Sequence, residues 1–249
     1  MTKLIIFDRI HIALKGRVIV VKVKVSFENI LASLILRFGK ANVTDIKIIQ
    51  DDLYNRYGVL MSPFALDYRG ISNSIMKVGD NYYPLNEESK NTLEEKQGEF
   101  MKTYLESLSV EDFVLLKINE LGTVSEYAMS SVFCDEQEKY ISKLVEDLKV
   151  VYVWNDDVTH DDYQEVQLTF LGKARVFELQ YKEQIDEFRE LLISSGYDES
   201  LIPDFLRAQD FDRDVYDILN LDNFLYYCSK YDRAARGSDM PGDVLKKKA

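Results

Sequence analysis

The stretch Asp135–Leu148, DEQEKYISKLVEDL, carries Tyr140, Ile141, Leu144, Val145 and Leu148 at the three- and four-residue spacing that gathers side chains on one face of a helix. Asp135 stands at its front as the expected N-cap. The helix runs into VVYVW (150–154), then a polar tip NDDVTHDDYQ (155–164), then EVQLTF (165–170). In the last of these Val166, Leu168 and Phe170 alternate with polar residues, the pattern of a strand with one buried face. Upstream, SVEDFVLLKINELG (109–122) sets Phe113, Val114, Ile118 and Leu121 on one helical stripe that stops at Gly122, and TVSEYAMSSVF (123–133) reads as a second short helix. The order is helix, helix, helix, strand, turn, strand.

That order resembles the winged-helix superfamily over residues 109–180. LGTVSEYA looks like the turn into the second helix, ISKLVEDLK like the end of the third, and LTFLGKA like the return strand of the wing entering a further helix. The resemblance implies a fold and leaves function open, because winged helices serve both as DNA readers and as protein-docking modules.

A DNA reader needs cations where phosphates lie, and Arg, Lys, Asn or Gln near the start of its third helix to reach base edges. Here that helix starts Asp135-Glu136-Gln137-Glu138, and the wing tip holds Asp156, Asp157, Asp161 and Asp162 with no Lys or Arg among them. A carboxylate about 6 Å from a phosphate, at an effective dielectric of roughly 40, is repelled by about 1 kcal/mol, and several such terms remove ordinary non-specific affinity. The acidic residues therefore read either as solvated surface or as a face for a basic, nucleic-acid-handling protein partner. The candidate partner-binding set is Asp135, Glu136 and Glu138 on the helix with Asp156, Asp157, Asp161 and Asp162 on the wing.

The net charge of −12 is unevenly spread. Residues 1–50 hold nine basic and three acidic side chains, whereas residues 109–180 hold six and fifteen. Lys15, Arg17, Lys22 and Lys24, with Arg37, Lys40 and Lys47 behind them, are the concentrated positive charge, so any nucleic-acid contact belongs at that end. Around Lys15-Gly16, LIIFDRIHIALKGRVIVVKVKVSF (4–27) reads as a β-hairpin. Ser26 follows as an N-cap, FENILASLILRF (27–38) as an apolar helix stopped by Gly39, and DIKII (45–49) as a short strand.

The expected class is α+β, in five segments: an α+β module over 1–60, a loop-rich linker and helix over 61–108, the winged helix over 109–180, a helical region over 181–235 and a disordered tail over 236–249. Within the linker, residues 86–107 have helical composition with Gly98 as a weak point. In the C-terminal region Phe177, Tyr181, Ile185, Phe188 and Leu192 form one helical stripe ending at Gly196.

Signals for chemistry are sparse. The chain has no G-x-x-x-x-G-K-[ST], G-x-G-x-x-G or G-x-S-x-G motif. Its two histidines are His11, in an expected strand, and His160, beside wing-tip aspartates that lack the spacing of a calcium loop. Cys134 and Cys228 have no metal-ligand spacing and read as reduced, structural thiols. No metal or cofactor is expected. Asp80 with Glu94-Glu95-Lys96 matches the acid and E-x-K order of a metal-dependent nuclease, although such a site needs the E-x-K on a strand and these residues read as helix. With no long apolar run and no cleavable leader pattern, the expected location is cytoplasmic, without membrane contact.

The leading expectation is a non-enzymatic adaptor or accessory subunit of a larger assembly. Fold analogy adds the small winged-helix subunits that accompany chromosome-maintenance or ABC-type ATPases, including those of bacterial defence complexes. The alternatives are a DNA-binding transcription regulator that dimerises through the Phe177–Leu192 stripe, and the metal-dependent nuclease.

Overall fold

The computed structural model describes residues 10–14, 17–21, 25–59, 69–155 and 163–236. Strands β1 (Ile10–Leu14) and β2 (Arg17–Val21) pair antiparallel, Ile10 opposite Val21 and Leu14 opposite Arg17. This is the hairpin the alternation predicts; Lys15, Lys22 and Lys24 lie outside the described residues.

Helix α1 (Phe27–Phe38) starts at a reciprocal cap: Ser26 N–H donates to Asn29 Oδ1 at 2.7 Å and Asn29 N–H to Ser26 Oγ at 3.2 Å. It ends at Gly39 in the left-handed conformation, φ 74°. Ile30, Leu31, Ala32, Leu34 and Ile35 are all buried, so this helix is enclosed nearly all round. After the short strand β3 (Ala41–Asn42) comes α2 (Val43–Tyr57). The strand expected over DIKII is overturned here, since those residues lie inside α2. Asn42 N–H donates to Asp45 Oδ2 and Asp45 N–H to Asn42 Oδ1, both at 2.9 Å, which commits the segment to a helical start. Ile46, Ile49 and Leu53 then recur at helical spacing on its buried side.

Strands β4 (Ile75–Val78) and β5 (Asn81–Pro84) form a hairpin to which β3 adds, in the order β3-β5-β4. The helix expected over 86–107 is two helices, α3 (Ser89–Gln97) and α4 (Glu99–Ser107), separated at Gly98 with φ 72° and ψ 148°. Asn29 reaches across from α1, its Nδ2 2.6 Å from the Lys96 carbonyl at the end of α3.

The centre follows the expected order with one strand added. Helix α5 (Val110–Leu121), capped by Ser109, leads into β6 (Thr123–Ser125), then a 3-10 turn at Glu126–Ala128 and α6 (Met129–Val132). Then come α7 (Asp135–Glu146), β7 (Val150–Asn155) and β8 (Tyr163–Leu168), in a three-stranded antiparallel sheet of order β6-β8-β7. The class is α+β, as the sequence predicts.

Three details differ from the sequence reading. The N-cap of α7 is Cys134, not Asp135, with Cys134 N–H donating to the buried Gln137 Oε1 at 3.2 Å. Leu121, at the end of α5, and Leu148, beyond the end of α7 in the left-handed conformation, are exposed. Phe170 belongs to the next helix and is exposed, not on β8.

The chain divides into two compact units, Met1–Leu168 and Thr169–Ala249. Inside the first, α2 and α5 are joined by a buried ion pair: Lys117 is 1% exposed and its Nζ lies 2.5 Å from Asp45 Oδ1. The ammonium also stands 5.3 Å from the centre of the Phe133 ring. Burial pushes the Asp45 carboxyl up and the Lys117 amine down, each towards its neutral form, and mutual attraction opposes both shifts. Around the pair, Phe38 stacks on Phe113 with ring centres 5.0 Å apart, and Arg37 Nη2 donates to the Leu108 carbonyl at 2.6 Å. Lys40 Nζ donates to the Ser130 carbonyl at 2.8 Å, and Lys47 pairs with Glu120.

In the second unit α8 (Phe170–Gln180) and α9 (Lys182–Ser194) replace the single helix expected, with the break at Tyr181, φ −118°. Helices α10 (Ile202–Arg207), α11 (Val215–Ile218) and α12 (Leu221–Arg236) follow. Phe177, Ile185, Phe188 and Leu192 pack with Phe205, Leu206, Phe224 and Cys228 into one core. The stripe that a dimerising regulator would need is thus covered by its own chain. Residues 237–249 of the expected tail lie outside the described residues.

Replacing Lys117 by Met leaves Asp45 buried without its counter-charge, and urea unfolding should show a loss of about 3–5 kcal/mol. Adding Asp45→Asn, which keeps an acceptor for the Asn42 N–H, should restore most of it.

Candidate partner-binding surface

Helix α7 has two unlike faces. Gln137, Ile141 and Leu144 point into the core, and Asp135, Glu136, Lys139, Lys143, Glu146 and Asp147 are exposed, with Glu138 half-buried. Asp135 and Glu136 sit in the first turn, where the partial positive charge of the helix end stabilises carboxylates. Glu146, in the last turn, and Asp147, at the C-cap, face the opposite end of that dipole, where a carboxylate gains nothing from the helix. Helix stability alone does not account for this distribution.

Two of the cations nearby are already paired. Lys143 forms an ion pair with Glu111 on α5, and Lys149 stands 3.4 Å from Asp147. Burial lowers the pKa of the Arg37 guanidinium, while the Glu136 and Glu106 carboxylates pull it back up. Lys139 is the exposed cation of the face with no ion pair among the described residues. Of the wing-tip set, Asp156, Asp157, Asp161 and Asp162 lie outside the described residues, as does His160. The structure thus brings Asp135, Glu136 and Glu138 together on one helix end and describes none of the wing-tip carboxylates.

Among the basic candidates, Arg17 is described only as a backbone position opposite Leu14. Arg37, Lys40 and Lys47, the cations behind the hairpin, contact the Leu108 carbonyl, the Ser130 carbonyl and Glu120. Their charge joins the N-terminal part to the central one. Glu94, Glu95 and Lys96 lie on α3, so the strand geometry of an E-x-K nuclease site is not formed there. Among the described residues no group of three or more His, Cys, Asp and Glu side chains is placed to hold a metal ion, and no helix is long and apolar enough to cross a membrane.

One surface was not foreseen from the sequence. Strand β7 pairs with β8 on one side, and no described strand pairs with its other side. Val151, Tyr152 and Val153 are about 40% exposed and Trp154 is 62% exposed, so an apolar run lies open along a sheet edge. Just before it, Leu148 holds φ 58° and is 67% exposed. It occupies the position after the helix where glycine is usual, with Lys149 N–H donating to the Leu144 carbonyl at 2.9 Å and Leu148 N–H to the Val145 carbonyl at 3.0 Å. The unbroken VVYVW was the available signal: five apolar residues in a row mean either two covered faces or an open one.

No protein-family model matches the chain, and no curated protein or solved structure matches it.

Because a left-handed leucine is strained by about 1–2 kcal/mol, Leu148→Gly should raise the unfolding free energy of dilute protein by about 1 kcal/mol, read by urea denaturation.

Proposed function

We propose that the protein is a non-enzymatic adaptor that docks onto a larger protein subunit through its central winged-helix module, with the outward face of α7 as the contact surface. The observation that carries this reading is the exposure of Asp135, Glu136 and Glu146 on α7 and of Asp147 at its C-cap, with Glu138 half-buried beside them, while Gln137, Ile141 and Leu144 fix the other side of the helix in the core. A rigid helix presenting carboxylates fits a basic protein surface, and complementary charge speeds encounter and fixes register. The same face repels a phosphate backbone, so this module does not settle on duplex DNA. The order of α5, β6, α6, α7, β7 and β8 and the sheet order β6-β8-β7 support a winged helix. By fold analogy the partner class we assign is an ABC- or SMC-type ATPase of a DNA-maintenance or bacterial defence complex.

The test is co-purification of tagged chain from its native host at moderate salt, beside Asp135→Lys/Glu136→Lys/Glu138→Lys. The native chain should hold a stoichiometric basic protein that the triple variant loses, with affinity falling by at least about tenfold. A chain that holds no other protein, or that retards duplex DNA in a way abolished by Lys139→Glu/Lys143→Glu, overturns the proposal.

A further inference from the structure

The open edge of β7 suits an extended strand, whose backbone can replace water on a row of edge N–H and C=O groups while its side chains cover the apolar ones beside them. Natural edges are usually guarded by a proline, a bulge or a mid-strand charge; Val150–Asn155 has no proline and no charged residue. We propose that the guest is β7 of a second copy of this chain, paired antiparallel about a two-fold axis, so that two three-stranded sheets become one of six strands.

Two features of the strand make it complementary to itself. In the register that places Tyr152 opposite its twin, Val151 faces Val153 and Val150 faces Trp154, so every opposed pair among residues 150–154 is apolar and no like charges meet. Two exposed apolar residues, Leu148 just before the strand and Trp154 near its far end, stand at opposite ends of it. An antiparallel copy carries the Leu148 end of each chain to the Trp154 end of the other, twice over.

The alternation of the strand also accounts for the exposed aromatics. Tyr152 and Trp154 share the sheet face of Val150, Val166 and Val124, which are buried, yet they continue that face past the cover of their own helices. A second copy extends the surface against which they lie. The strained leucine has a role in this arrangement that glycine would not fill, since it offers a side chain at the mouth of the edge.

This pairing does not rest on the adaptor reading. Trp154 is the single tryptophan of the chain, so intrinsic fluorescence reports on the edge itself. Sedimentation velocity of the purified full chain over a dilution series should show a dimer giving way to monomer, with Trp154 emission moving to longer wavelength in step. Val153→Lys should sediment as monomer throughout while keeping its far-ultraviolet circular dichroism. Leu148→Gly should raise the dimer dissociation constant by about tenfold. Tyr216→Lys, at an exposed aromatic of the second unit, should change neither. A native chain that is monomeric at every concentration, a dimer whose Trp154 emission does not follow association, or a dimer that survives Val153→Lys or is lost in Tyr216→Lys would overturn the proposal. If Val153→Lys does not fold, the paired emission and sedimentation curves of the native chain decide it alone.

Discussion

The first unit depends on an ion pair with almost no access to water. Lys117, in the middle of α5, reaches Asp45 in the first turn of α2, and Asp45 is at the same time half of the cap that starts α2. One carboxylate therefore sets where a helix begins and what packs against it. A leucine at 117 could fill the space but would not select this docking angle among other apolar contacts, whereas a buried ammonium accepts only the arrangement that places a carboxylate beside it. The Phe133 ring closes the site from the side of α6 and α7. Through this pair the N-terminal helices, α5 and the entry to α7 share one geometry, which is why α7 can be held with its acidic side outward.

The same logic explains the uneven charge. The basic first fifty residues and the acidic centre look, as text, like two surfaces for two external partners. Part of that contrast is resolved inside the unit, where Arg37, Lys40 and Lys47 meet a carbonyl, a second carbonyl and a carboxylate of the central segment. What remains outward on α7 is a carboxylate excess with Lys139 among it. The surplus, more than the total charge of the chain, is the quantity that bears on binding.

Local signals were legible where the residues concerned act on their neighbours. Ser26 and Gly39 bounded α1, Gly98 divided α3 from α4, and the stripes of α5 and α7 were visible by spacing. DIKII was misread because its β-branched residues favour a strand in isolation, while the deciding feature was a cap three residues upstream that traded hydrogen bonds with Asp45. The break at Tyr181 leaves the apolar stripe in phase on both sides, so periodicity alone could not reveal it. On the candidate surface, the acidic side of α7 could be read directly, since the sequence contains both the carboxylates and the buried face that orients them. The open edge could not, because which strand lies outermost is decided by pairing between β6 and β8 across some forty residues.

Helix α1 has a consequence for how the chain is made. Much of it is covered by chain that comes later, α3 and α4 above all: Asn29 bonds a carbonyl 67 residues on, and Arg37 one 71 residues on. On the ribosome this strongly apolar segment emerges well before α3 and α4, which shelter part of it, and closing such long loops is slow compared with helix formation. For that interval the nascent protein carries a greasy rod in water, a state that invites chaperone capture and makes residues 27–38 the part of the molecule most exposed to misassembly during synthesis.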